Sequence, residues 1–360
     1  MSVTKQNGKA ARQAGIELLR CIAMLMVITL HYLDKGGVLI PLSQKQSPAG
    51  YAAWLLEAFC IVAVNVYVLV SGYFLTESGF KLKRFIVLAG QILFYSLLIP
   101  LALILCGKLS VSELTLYDFL FYLLPVQMKH YWFGTAYILM YLFVPVLSAG
   151  VKQLSEKQLR GMICLLILVF SVAKSVLPFQ LAIDNEGYDV VWFLCLFLIA
   201  AYFRLYGCNG MKKSGRGWLL YAAGSCGIFL LSLLIAYFSN RFGKFAYFIG
   251  SPYHYNHILC LLAAVGLFFA FLHWDIPEGL FAKVVRRIAP YTFGVYLLHE
   301  NAAVKFLWPE LMGMSESMAG NLSPLHWIRT ILLIFTVGIF VDFGRSLLFA
   351  GIGKLFVRRK

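Results

Sequence analysis

GIELLRCIAMLMVITLHYLD (15–34) is long and apolar enough to cross a bilayer, yet it carries an arginine and a histidine within the run. Further apolar runs of similar length fall at 54–75, 84–107, 131–150, 160–177, 189–206, 217–238, 253–273, 287–308 and 327–349. Together they predict an all-α, polytopic integral membrane protein of about ten transmembrane helices, with 1–360 forming a single membrane-embedded domain. A stretch at about 115–127 is too short to span and is expected to lie at the interface or to re-enter the bilayer.

Composition agrees. Hydrophobic residues make up 61% of the chain, charged residues 13%, and mean hydropathy is +0.80. Soluble domains are roughly 45–50% apolar and about 25% charged, so lipid must be the solvent for much of this surface. The net charge of +15 does not point to nucleic acid, because the basic residues come in short clusters between apolar runs rather than as one continuous patch.

Those clusters orient the chain. Lys5, Lys9 and Arg12 precede the first run, and alternate connections carry Lys81/Lys83/Arg84, Lys152/Lys157/Arg160, Lys212/Lys213/Arg216 and Lys283/Arg286/Arg287. The tail ends with Lys354, Arg358, Arg359 and Lys360, while an intervening connection carries Asp184, Glu186 and Asp189. Lys and Arg concentrate on the cytoplasmic side of membrane proteins, so both termini are expected there. The eight cysteines lie almost wholly within apolar runs and have no metal-ligand spacing; they read as small apolar residues, and no metal is expected. No phosphate loop, GxSxG elbow or HExxH occurs.

Ionisable groups inside apolar runs are costly and therefore candidates for function. Arg20 and His31 are eleven residues apart, close to three whole helical turns, so they share one face with Met24 and Val27. The rise between them is roughly 16 Å, which puts Arg20 toward the cytoplasm and His31 toward the outer side. Glu17 lies one turn below Arg20, where an ion pair at the inner interface is the plainer reading. Asp34, one turn above His31, is placed to orient it. Asn65 falls near mid-membrane in the second run. In PYTFGVYLLHEN, Tyr291, Val295 and His299 recur at four-residue intervals on one face. By this topology His31, His130, His254, His257, His299 and His326 are all outer, and His273 alone is inner.

Four segments carry a family resemblance: Arg20-x10-His31 in the first run, VNVYVLVSGYFL (64–75) followed by KLKR, HYWFGTAYILMYLFVPVLS (130–148) and IAPYTFGVYLLHEN (288–301). In register with the spans, they make the chain resemble the bacterial membrane acyltransferases of acyltransferase family 3, which O-acetylate cell-surface glycans and related acceptors. The resemblance implies a bacterial cytoplasmic-membrane O-acetyltransferase acting in cell-envelope polysaccharide modification. An acyl group, usually acetyl, would pass from cytoplasmic acyl-CoA to an acceptor hydroxyl at the outer face. Acyl-CoA would be a donor substrate rather than a tightly bound cofactor.

The resemblance makes His31 the essential histidine and Arg20 its paired arginine. The family's two loop arginines, three residues apart, correspond here to Lys81 and Arg84. Lysine keeps the charge but loses the bidentate fork. Arg20, Lys81, Lys83 and Arg84 are thus the expected binders of CoA phosphates. Tyr131, Trp132 and His299 are expected on the acceptor side or in support of it. A transporter or flippase of a small solute or amino acid uses the same kinds of groups and is the competing reading, although no inverted repeat or paired broken helices are evident.

Overall fold

The computed structural model describes residues 13–177, 179, 185–314 and 318–357. Lys5, Lys9, Arg12, Asp184, Arg358, Arg359 and Lys360, used above for orientation, lie outside the described residues. Among those described the chain is helical, with no strand. α1 (Ala14–Asp34), α2 (Pro48–Cys60), α3 (Ala63–Ser78), α4 (Leu82–Leu105), α5 (Leu116–Leu123) and α6 (Trp132–Gln153) form the first half. α7 (Glu156–Ile167) continues through a π-helical turn into α8 (Ala173–Val176), and α9 (Val190–Tyr206), α10 (Ser214–Phe242) and α11 (Ile258–Leu272) follow. α12 (Leu280–Ile288), α13 (Thr292–His299), α14 (Leu307–Leu311) and α15 (Pro324–Val357) complete the fold.

Among the described residues, eight stretches are long and apolar enough to cross a membrane: α1, α2–α3 together, α4, α6, α7–α8, α10, Ala246–Leu272 and α15. α9 is apolar but shorter, at 17 residues. α5 is short and largely exposed, opened by a capping box between Thr115 and Asp118, and occupies the stretch expected at the interface.

The run at 287–308 does not form a continuous helix. α12 ends at Ile288, a 3₁₀ turn spans Ala289–Tyr291, and α13 lasts eight residues. Pro290 has no N–H to continue the ladder, which explains the first break. The second break, after His299, frees backbone donors that side chains take up. Asn301 Oδ1 accepts from the Ala303 N–H at 2.9 Å, and His130 Nε2 accepts from the Ala302 N–H at 3.1 Å. Inside a bilayer such a break is tolerated where protein supplies the missing partners.

α1 is the centre of the bundle. Its apolar window is 72% buried, against 33% for α4 and α10 and 28% for α15, so those three present most of their surface to lipid. α1 packs against α2, α3, α11, α12, α13 and α15. α10 and α11 touch backbone to backbone: a Cβ on Gly217 would lie 2.5 Å from the Ala270 nitrogen, and one on Gly266 2.5 Å from that of Tyr221. Small residues at a helix crossing are the usual source of close packing in lipid.

Candidate active site

Because α1 is regular along its length, the stripe expected from 100° steps is realised. Met24, Val27 and His31 line one cavity of about 460 Å³, closed on other sides by α2, α6, α13 and the segment preceding α11. Its size is that of a small-molecule site.

Hydrogen bonds assign the histidine tautomers. His299 Nδ1 lies 2.6 Å from the Val295 carbonyl oxygen, which can only accept, so Nδ1 carries the proton and Nε2 the lone pair. His31 Nδ1 lies 2.9 Å from that Nε2 and 2.9 Å from Glu300 Oε2, so it donates. This leaves a lone pair on His31 Nε2, in a side chain that borders the cavity. Glu300 Oε2 also takes the Lys35 ammonium. Burial pushes Lys35 below the usual lysine range, and Glu300 opposes that shift. A carboxylate that holds one imidazole N–H and leaves the other nitrogen basic is the arrangement of a general base. The ligand atoms of His31, His299 and Glu300 also lie within 4.8 Å of one another, a spacing a metal ion could use, but the Lys35 ammonium competes for the same carboxylate oxygen.

Other candidate residues fall into groups. Asp34 lies on the cavity wall, exposed, while the carboxylate bonded to the His31 ring is Glu300. Trp132 lines the cavity and stacks on Tyr255, with ring centres 5.5 Å apart and planes at 23°. Tyr131 is buried outside the lining; its hydroxyl accepts from Asn301 Nδ2 at 2.7 Å, and Asn301 also donates to the Tyr95 carbonyl. Tyr131 therefore anchors the break that carries Glu300. Asn65 is a cross-link: Nδ2 donates to the Tyr255 carbonyl at 2.7 Å and Oδ1 accepts from Trp192 Nε1 at 2.9 Å. Tyr291 sits in the 3₁₀ turn with its ring edge-on to Phe343 of α15, away from the cavity. Tyr291 and Val295 face α15, at Phe343 and Gly338, while Phe293, Tyr296 and Glu300 line the cavity.

At the other end of the stripe Arg20 is paired with Glu17, Nη1 to Oε1 at 3.1 Å, and its carbonyl accepts from the Tyr67 hydroxyl at 2.7 Å. Lys81 is held through its backbone, its N–H donating to the Tyr141 hydroxyl at 2.9 Å. Arg84 donates to Ser78 Oγ at 3.1 Å. Lys81, Lys83 and Arg84 are largely exposed and lie outside the cavity lining.

Sequence reasoning gave no role to Lys35, Glu57 or Tyr67, and it assigned Glu300 none. Glu57 and Lys35 are charges within or beside apolar runs, and that was the available signal. Searches of curated proteins and of solved structures found no match. The family model of acyltransferase family 3, described as an acyltransferase domain, matches residues 13–345. That match spans α1 with His31 and the break with Glu300, and it covers nearly the whole chain: the protein belongs to the acyltransferase 3 family of membrane acyltransferases.

Proposed function

We propose that the protein transfers an acyl group, acetyl in the simplest case, from cytoplasmic acyl-CoA to a hydroxyl of a cell-surface or lipid-linked glycan, with His31 as general base. The observation that carries this reading is the His31 ring, held through Nδ1 by Glu300 and His299 and bordering a ligand-sized cavity. In the reaction His31 Nε2 takes the acceptor's hydroxyl proton as its oxygen attacks the thioester carbonyl carbon. The carbon–sulfur bond breaks, and the proton passes to the leaving thiolate, giving an ester and free CoA. Glu300 stabilises the imidazolium that forms between the two steps.

Arg20, Arg84, Lys81 and Lys83 support a donor site at the opposite end of α1, where cations meet CoA phosphates. The rise of roughly 16 Å from Arg20 to His31 suits an extended pantetheine arm running along the Met24–Val27 stripe. This orientation puts both termini in the cytoplasm of a bacterium and the acceptor outside. Transfer of label from acetyl-CoA to acceptor in membranes tests the reading, and full activity in His31→Ala removes the role given to that residue. The break at α13 supports a second reading, transport, since interrupted helices beside a cavity also bind solutes. Uptake of a labelled solute into vesicles without consumption of acetyl-CoA would identify it.

A further inference from the structure

One part of the cavity that His31 borders has a chemistry that acyl transfer does not require. Trp54 and Glu57 stand three residues apart on one face of α2, and both line the cavity with Tyr253. The Trp54 and Tyr253 rings meet edge-on at 5.1 Å. Their polar atoms are already engaged: Trp54 Nε1 donates to the Ile40 carbonyl at 2.9 Å and the Tyr253 hydroxyl to the Trp54 carbonyl at 3.0 Å. What these side chains have left for a ligand is therefore aromatic surface. Glu57 Oε2 is buried beside them and has no hydrogen-bond partner among the described residues.

Charge on the wall is one-sided. Asp34, Glu57, Glu186 and Glu300 line the cavity, and Lys35 is the only lysine or arginine among the described lining residues. Lys35 is matched by Glu300, and Glu186 faces His254 at 3.5 Å. Asp34 and Glu57 remain. A buried carboxylate oxygen without a partner is costly unless a ligand supplies one, and a cation beside aromatic rings gains from both charge and quadrupole.

We propose that the acceptor carries a protonated amine or other ammonium group, seated between Trp54, Tyr253 and Glu57, which presents a neighbouring hydroxyl to His31. The proposal rests on reading this cavity as the acceptor site and names the acceptor's chemical class. A neutral polyol fits the wall less well, because the acidic groups left there attract positive charge and the ring hydroxyl and indole N–H are not available to it.

The test uses the full-length protein in nanodiscs without acyl donor and measures binding by calorimetry for two matched pairs: choline against 3,3-dimethylbutan-1-ol, and glucosamine against glucose. At neutral pH at least one cation is expected to bind about tenfold or more tightly than its neutral partner. Glu57→Gln should erase that difference and leave the neutral compounds unchanged. Should Glu57→Gln not fold, Trp54→Leu, which keeps every charge, is expected to reduce cation binding alone. Equal binding within both pairs, or no binding by any of the four, overturns the proposal. Acyl transfer is measured separately: transfer without a charge preference refutes the proposal and leaves the acyltransferase reading standing, whereas a charge preference without transfer refutes that reading and leaves the cation site.

Discussion

Glu300→Gln isolates the charge at the centre of the site. Glutamine keeps the length of the side chain, and its amide oxygen can still accept from His31 and Lys35, so the geometry is conserved while the carboxylate's charge is lost. In wild type, His31 Nδ1 lies 2.9 Å from Glu300 Oε2. At an effective dielectric of about 20, two unit charges at that distance interact by about 6 kcal/mol, a ceiling of roughly 10⁴ in rate for stabilising the imidazolium. The retained amide hydrogen bond and the freed Lys35 ammonium act in opposite directions on what remains. We expect kcat to fall by about 10²–10³-fold, with KM for acyl-CoA little changed, because Glu300 lies at the far end of α1 from Arg20. The assay is transfer of label from acetyl-CoA in inverted vesicles, with protein level and thermal stability measured alongside. A Glu300→Gln protein that is folded and retains more than half the wild-type rate would refute the role assigned to the carboxylate.

Other perturbations probe different parts of the argument. Arg20→Ala should raise KM for acyl-CoA by about tenfold with a smaller change in kcat, since it removes one charged contact to phosphate; an unchanged KM argues against a donor site at that end of α1. Asn301→Ala strips the Ala303 cap and leaves the buried Tyr131 hydroxyl without this donor, so a loss of about 1–3 kcal/mol is expected, read as a lower melting temperature in detergent. Gly294→Ala would set a Cβ 2.3 Å from the Asp342 carboxylate, which Gln91, Tyr95 and Arg345 hold in place, so folded protein should be largely lost from the membrane fraction. His130 is kept neutral by burial, its pKa lowered from 6.5 to about 4, and its Nε2 must stay unprotonated to accept from Ala302. The unfolded chain takes up the proton first, so this contribution to stability is present above pH 6.5 and is lost as pH falls toward about 4. His130→Gln should show a shallower loss of melting temperature over that range.

Much of this was legible in the sequence wherever helices are regular. The Met24–Val27–His31 stripe follows from spacing alone, because α1 has no break, and the apolar runs map closely onto most of the helices. The fine structure of the site was less accessible. Asp34 is near His31 along the chain, but Glu300, its partner in space, lies 269 positions away and caps the carboxy-terminal end of the short α13. Pro290 and Gly294 mark that region, yet only the packed structure explains Gly294, whose missing side chain makes room for Asp342 of α15. Glu57 was visible as an acid in an apolar run, but its relation to Trp54 and Tyr253 depends on how α2 meets the segment before α11.

The short α13 has a consequence for biosynthesis. Eight helical residues rise only about 12 Å, too little to cross a hydrocarbon core of about 30 Å, so this segment has no stable place in the bilayer by itself. It packs on α1, far upstream in the chain, and on α15, which is made after it. Until α15 arrives with Asp342, the nascent chain lacks the wall against which Gly294 closes. The histidine pair and its carboxylate therefore join segments made far apart in translation, and a chain interrupted before α15 should be released without a working centre.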